Sequence, residues 1–365
     1  MKKFKLLLID WYIIKKFLGT FVYAIVIIIA ISCIFDLSEH IDDFYEHKIP
    51  FHEIFFNYYL NFIPYFSIMF SPLIVFIAVI YFTSRLAYNT EIIALLATGM
   101  SFGRLLRPYM ISAFAIALFT FVVTNFILPP ANVIRLSFAE KYYQSGPKMF
   151  TERNIHKQLL PGVYIYMESY STASNIGYKF SMEKFEDGQL KEKMMSDYIK
   201  WDSTKMKWTI KNYYKRKFEG MRELVTQGAS LDTSLNMLPS DFRVREDTYF
   251  ETMTLARLNH YISELRLQGS ESITIYKVEK QKRFAFPFAT FILTFIGVTL
   301  SSRKVKGGIG MHIGAGLGLS FSFILFMQFS SQFAINGSLP PTLAAWTPNI
   351  IYGIICVFLY RLAPK

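Results

Sequence analysis

The residues that could do chemistry are few, and their spacing excludes more than it offers. His40, His47, His52, His156, His260 and His312 form no HxxxH or HExxH pattern, so no zinc site can be read from them. His312 lies near the start of an apolar run and reads as an interfacial residue. Cys33 and Cys356, the only cysteines, both lie inside apolar runs and give neither a disulfide framework nor a zinc cluster. The chain has no GxxxxGK[ST] phosphate loop and no Gly-x-Ser-x-Gly elbow. Hydrolytic and metal-dependent catalysis are therefore without support, and no cofactor is called for. One segment does carry a pattern, Thr90 to Ser101 (TEIIALLATGMS). Thr90 is placed to cap a short helix, Glu91 complements the positive end of its dipole, and Gly99 can stop it. Ile92, Ile93, Leu95 and Leu96 make it too apolar for a free loop. It is either an interfacial helix lying on a bilayer or a docking helix for a cytoplasmic partner.

The elements around that segment are built for lipid. Of 365 residues, 52% are hydrophobic and 18% charged, against about 25% charged in soluble domains. A helix needs about 20 apolar residues to cross the hydrocarbon core. Six runs qualify: Phe17 to Phe35, Phe62 to Phe82 despite Pro64 and Pro72, Tyr109 to Leu128, Phe284 to Leu300, about Met311 to Phe333, and Leu343 to Tyr360. All six lack Asp, Glu, Lys and Arg, which argues against an ion path through them. Phe4 to Lys16, with Trp11 and Tyr12, reads as a short interfacial helix and not as a cleavable signal.

The net charge of +12 does not point to nucleic acid, because the basic residues cluster beside span ends: Lys2, Lys3, Lys5, Lys15, Lys16, Arg85, Arg104, Arg107, Arg303, Lys304, Lys306 and Arg361. Their alternation puts both termini in the cytoplasm and the long segment between spans three and four outside. In that segment Val163, Ile165 and Met167, then Ile176, Tyr178, Phe180 and Met182, recur with period two, and Lys207 to Tyr214 reads as a further strand. Pro161-Gly162, Asp187-Gly188 and Glu219-Gly220 supply turns. Frequent short strands imply an all-β, jelly-roll-like domain. Leu255, Leu258, Ile262 and Leu265 fall at helix spacing, with Thr252 or Thr254 as cap and Gly269 as stop, and Ala131 to Tyr143 looks like an outward extension of the third span. The expected fold is thus an α-helical polytopic membrane protein with six transmembrane helices and an inserted periplasmic β-domain. Its expected parts are 1–128 (interfacial helix, three spans and the 90–101 segment), 129–283 (the β-domain with flanking helices) and 284–365 (three spans). Gly310, Gly314 and Gly318 recur every four residues, a helix-packing seam or an opening one.

Four features together resemble the LptF/LptG permease family of the lipopolysaccharide export ABC transporter, more in the manner of LptG. These are Asp10-Trp11-Tyr12-Ile13-Ile14-Lys15-Lys16-Phe17 leading into the first span; Glu91-Ile92-Ile93-Ala94-Leu95-Leu96-Ala97-Thr98-Gly99-Met100-Ser101, similar to the family's coupling helix; the order of three spans, outer β-domain and three spans; and Leu255 to Gly269 followed by basic residues and the fourth span. The resemblance implies an inner-membrane permease subunit, not an enzyme, that extracts lipopolysaccharide and passes it to a periplasmic bridge. A cytoplasmic ABC ATPase dimer would dock on Thr90, Glu91, Ile92, Ala94, Leu95, Gly99 and Met100. A second related permease would share the lipid cavity, periplasmic jelly-roll partner proteins would receive the lipid, and Lys282 and Arg283 would be rim candidates for its phosphates. One departure stands out: acidic Asp36, Glu39, Asp42 and Asp43 follow the first span where basic residues are expected. The alternative is a membrane-anchored envelope assembly or signalling protein whose β-domain binds a partner without transport.

Overall fold

The computed structural model describes residues 7–142, 151–171, 174–220, 222–239, 249–267, 272–302 and 308–362. The basic residues Lys2, Lys3, Lys5, Arg303, Lys304 and Lys306, and the stop residue Gly269, lie outside the described residues. Among those described, six helices are long and apolar enough to cross a membrane. They are α1 (Leu8–Glu46), α2 (Phe51–Tyr88), α4 (Phe102–Tyr142), α6 (Ile273–Ser301), α7 (Gly308–Ile335) and α8 (Pro341–Leu362). Two shorter helices join them, α3 (Glu91–Ala97) between α2 and α4 and α5 (Leu255–Leu267) ahead of α6. The first three spans outrun their apolar cores: at 1.5 Å per residue, the 41 residues of α4 extend about 60 Å. Hydropathy marks only the part that lipid must cover, whereas the helix continues for as long as its backbone bonds stay satisfied. Pro129 and Pro130 do not stop α4, because the turn just before them, Val123–Ile127, widens to π geometry. A widened turn makes room for the ring and for the missing donor.

The helical core centres on α2. Val75, Phe76 and Val79 of α2 pack with Phe17 of α1, Tyr109 of α4, Leu293 of α6, Phe323 of α7 and Tyr352 of α8, all buried. Cover is uneven. In the most apolar stretch, 50% of α2 and 56% of α6 is buried within the chain, against 11% of α1 and 28% of α7. Most of α1 and α7 is therefore left for lipid or another protein to cover.

The second compact unit covers Ser145–Tyr249 and Asn259–Ile273; residues 129–142 belong to the helical unit because α4 runs on without a break, and Phe250–Leu258 belong to it as well. Six antiparallel strands form one meander in the order β1 to β6: β1 (Thr151–Leu160), β2 (Val163–Ser171), β3 (Ile176–Glu186), β4 (Gln189–Asp202), β5 (Lys207–Glu219) and β6 (Arg222–Thr233). Pro161-Gly162 and Asp187-Gly188 close hairpins, the latter with both residues at positive φ, 51° and 74°, as a mirror-image turn requires. Ile165, Met167, Phe180, Met194, Ile199 and Ile210 bury one face around Trp208, whose indole N–H donates to the Met237 carbonyl at 2.9 Å. Tyr178 departs from the alternation expected for β3. Lys179 beside it has φ +50°, and both side chains point outward.

Candidate functional site

The α3 segment has two dissimilar sides. Ile92 is fully buried, and Leu95, Leu96 and Met100 pack against the same helical core. Ile93, Ala94, Ala97, Thr98 and Gly99 are exposed. A helix this short is marginal alone, so the packed side is what holds it. Thr90 does not cap it as expected. Its backbone turns left-handed at φ +61°, no side-chain cap forms, and its hydroxyl donates to the Asn89 carbonyl at 2.6 Å. The helix begins instead on the Thr90 carbonyl, which accepts the Ala94 amide at 2.9 Å, and Asn89 Nδ2 donates to Glu91 Oε1 at 3.2 Å. Gly99 ends it at φ +86°, a conformation that suits glycine.

The first turn of α4, just beyond α3, is wired to the start of the chain. Arg104 in that turn donates from Nη1 to Asp10 Oδ1 at 2.7 Å and from Nη2 to Asp10 Oδ2 at 2.5 Å. Asp10 is 2% exposed and also accepts the Leu7 amide at 2.8 Å. A two-pronged arginine–carboxylate pair fixes direction as well as distance. One turn farther along α4, the buried Tyr109 hydroxyl accepts from Thr83 Oγ1 of α2 at 3.0 Å. Packed or bonded side chains thus join α3 and the start of α4 to α1 and α2. Spacing rules could not have found the pair, whose members lie 94 residues apart. An aspartate next to an apolar run was its only signal.

The other end of the helical unit holds the two cations expected at a lipid rim. Lys282 lines a cavity of about 230 Å³ together with Glu251, Glu279, Phe286 and Met327. Arg283 lines it too, but is only 3% exposed and spends its guanidinium within the chain. Nη1 donates to the Met253 carbonyl at 2.8 Å, Nη2 to the Phe250 carbonyl at 2.9 Å, and Nε to Glu279 Oε1 at 3.4 Å.

Gly310, Gly314 and Gly318 have nothing within 4 Å of where a Cβ would sit. All three are exposed, and their face continues through Phe321, Leu325 and Phe329. The close helix approaches within the chain fall on other glycines: a Cβ at Gly316 would collide with Ile80, and one at Gly297 with Val79. Four-residue spacing marked a real face of α7, one that this chain leaves uncovered.

The polar groups described tie helix to helix, while α3, α1 and α7 present uncovered faces. Comparison with curated proteins returns no match. The family of lipopolysaccharide export system permeases LptF/LptG matches residues 11–362, nearly the whole chain. The chain belongs to that LptF/LptG family, a multi-pass inner-membrane protein and a permease of the lipopolysaccharide export system.

Proposed function

We propose that this chain is the subunit through which a separate ATPase dimer does mechanical work on lipopolysaccharide, drawing it out of the inner membrane toward a periplasmic bridge. The observation that carries the reading is the two-sided α3, packed on Ile92, Leu95 and Leu96 and open at Ile93, Ala94 and Ala97, with its exit held by Arg104 on Asp10. A partner gripping the open side moves the packed side with it. The basic residues at Arg85, Arg104 and Arg107 support a cytoplasmic position for α3, hence cytoplasmic termini and a periplasmic β-domain.

The lipid's acyl chains need an apolar surface that is open before loading. The uncovered faces of α1 (Val22, Tyr23, Val26, Phe35) and α7 (Phe321, Phe329, Phe333) supply one. A second, related permease completes the cavity, and the Gly310, Gly314 and Gly318 face is where its helix approaches closely and parts again. Lys282 faces the lipid phosphates at the outer rim. Strands β1 and β6 are the sheet's edges, and an edge strand accepts the edge of a partner jelly-roll.

The test is to purify the chain with and without its ATPase. ATP hydrolysis and ATP-driven release of lipopolysaccharide are expected only in the complex. Glu91→Lys and Gly99→Trp are expected to abolish both association and release. Unchanged association and release in both variants would overturn the reading. So would survival of function when the 83–108 loop is replaced, the result an assembly or signalling role predicts.

A further inference from the structure

At the end of the helical unit away from α3, four elements meet in one polar cluster. Glu251 sits in the turn Tyr249–Thr252, where the chain returns from the β-sheet. Fully buried Asn132 of α4 lies 3.4 Å by Nδ2 from the Glu251 carboxylate and 3.3 Å from its carbonyl, and Asn132 Oδ1 accepts from Arg135 Nε at 3.3 Å. Arg135 stands 3.7 Å from Glu251 Oε2 and 4.2 Å above the Tyr65 ring of α2. Arg283 of α6 holds the carbonyls on either side, Phe250 and Met253. The segment 250–253 is thus gripped by α4 on one side and α6 on the other. Glu251, Glu279 and Lys282 line one cavity of about 230 Å³.

We propose that Glu251 is a positioning residue: it latches the return segment 250–253 onto α4 and α6, so that this stretch of chain moves with those helices. The role rests on the reading that α3 receives force from an ATPase. The groups facing Glu251 are Tyr65 from α2, Arg135 from α4, and Glu279, Lys282 and Arg283 from α6. Burial pushes its carboxyl up to about 7, helped by Glu279 and opposed by Arg135, Arg283 and Lys282. A carboxyl that ionises near neutrality when buried and near 4.5 when free favours the buried position when protonated. The latch is therefore closed on the acid side of neutrality and loosens as the carboxyl ionises.

The experiment uses the assembled transporter in proteoliposomes loaded with lipopolysaccharide, and reads lipid released per ATP hydrolysed from about pH 6 to pH 8.5, a window that brackets the raised carboxyl. With the wild-type chain, the ratio is expected to fall through an inflection near pH 7. Glu251→Gln, which keeps the shape and cannot ionise, is expected to hold the low-pH ratio throughout. Glu251→Gln with Arg135→Gln, which also removes the arginine's uncompensated charge, should give the same flat profile. A Glu251→Gln profile that falls in parallel with wild type overturns the proposal, and so does a wild-type ratio that does not change with pH. Failure of the force-transmission reading looks different, since the wild-type chain would then release no lipid on ATP at any pH.

Discussion

The two ends of the helical unit are both held by an arginine, yet they are built for different tasks. At the α3 end, Arg104 grips the carboxylate of Asp10, a side chain on another helix. At the far end, Arg283 grips two backbone carbonyls and a carboxylate one helical turn back. A side-chain pair can be exchanged for its mirror image; an arginine on carbonyls cannot. The first end is a joint between helices, and the second anchors the short 3-10 turn Tyr249–Thr252 and the residue after it.

The sharpest break should come at the anchor. Arg283→Leu strands the Phe250 and Met253 carbonyls and the Glu279 carboxylate, and should lower stability by about 3–5 kcal/mol, read as thermal unfolding in detergent. Close behind is a pH effect from the same cluster. The folded Glu251 carboxyl, near 7, lies above its ordinary 4.5, so between those values the folded protein keeps a proton that the unfolded chain has released. Its contribution is complete below pH 4.5 and is lost as pH rises through 7, about 3 kcal/mol in all. Glu251→Gln should remove that slope, and a parallel slope in the variant would refute the assignment.

At the α3 end, the two sides of one helix should respond differently. Ile92→Ala empties a fully buried site and should cost about 2–4 kcal/mol. Ile93→Asp, on the open side, should leave stability within about 0.5 kcal/mol of wild type and abolish ATPase co-purification. Asp10→Ala should cost less, about 1–3 kcal/mol, because Arg104 is 21% exposed and water can reach it. It should uncouple lipid release from ATP hydrolysis, and the exchange Asp10→Arg with Arg104→Asp should recover part of that release. The smallest contrast is between glycines: Gly316→Ala meets Ile80 and should cost about 1–3 kcal/mol, while Gly314→Ala meets nothing and should be neutral in the isolated chain.

Sequence made legible what depends on local pattern. The six apolar runs, the hairpin turns at Pro161-Gly162 and Asp187-Gly188, and the short α3 with its terminal glycine all follow from local composition. Strands β1, β4 and β6 escaped notice because a sheet exposed along much of its length does not enforce alternation: QLKEKMMSDYIKWD and RELVTQGASLDT place charges on both faces. The outward extension of α4 was legible in Ala131 to Tyr143, but not the widened turn on which the helix crosses Pro129 and Pro130. Most of the wiring was beyond reach. Asp10 with Arg104, and Arg283 with Phe250 and Met253, join positions 94, 33 and 30 residues apart. Proximity of that kind is made by the fold, and a lone arginine beside a span looks the same whether it faces headgroups or carbonyls.

The central claim is that force enters at α3 from a separate nucleotide-hydrolysing partner, and one cysteine tests it most directly. With Cys33 and Cys356 replaced and Ala97→Cys introduced on the open side of α3, intact cells should resist labelling by a membrane-impermeant maleimide, inverted membrane vesicles should label, and a short bifunctional reagent should cross-link the chain to an ATPase. Labelling of that cysteine from the periplasmic side, or ATP hydrolysis by the purified chain alone, would contradict the account.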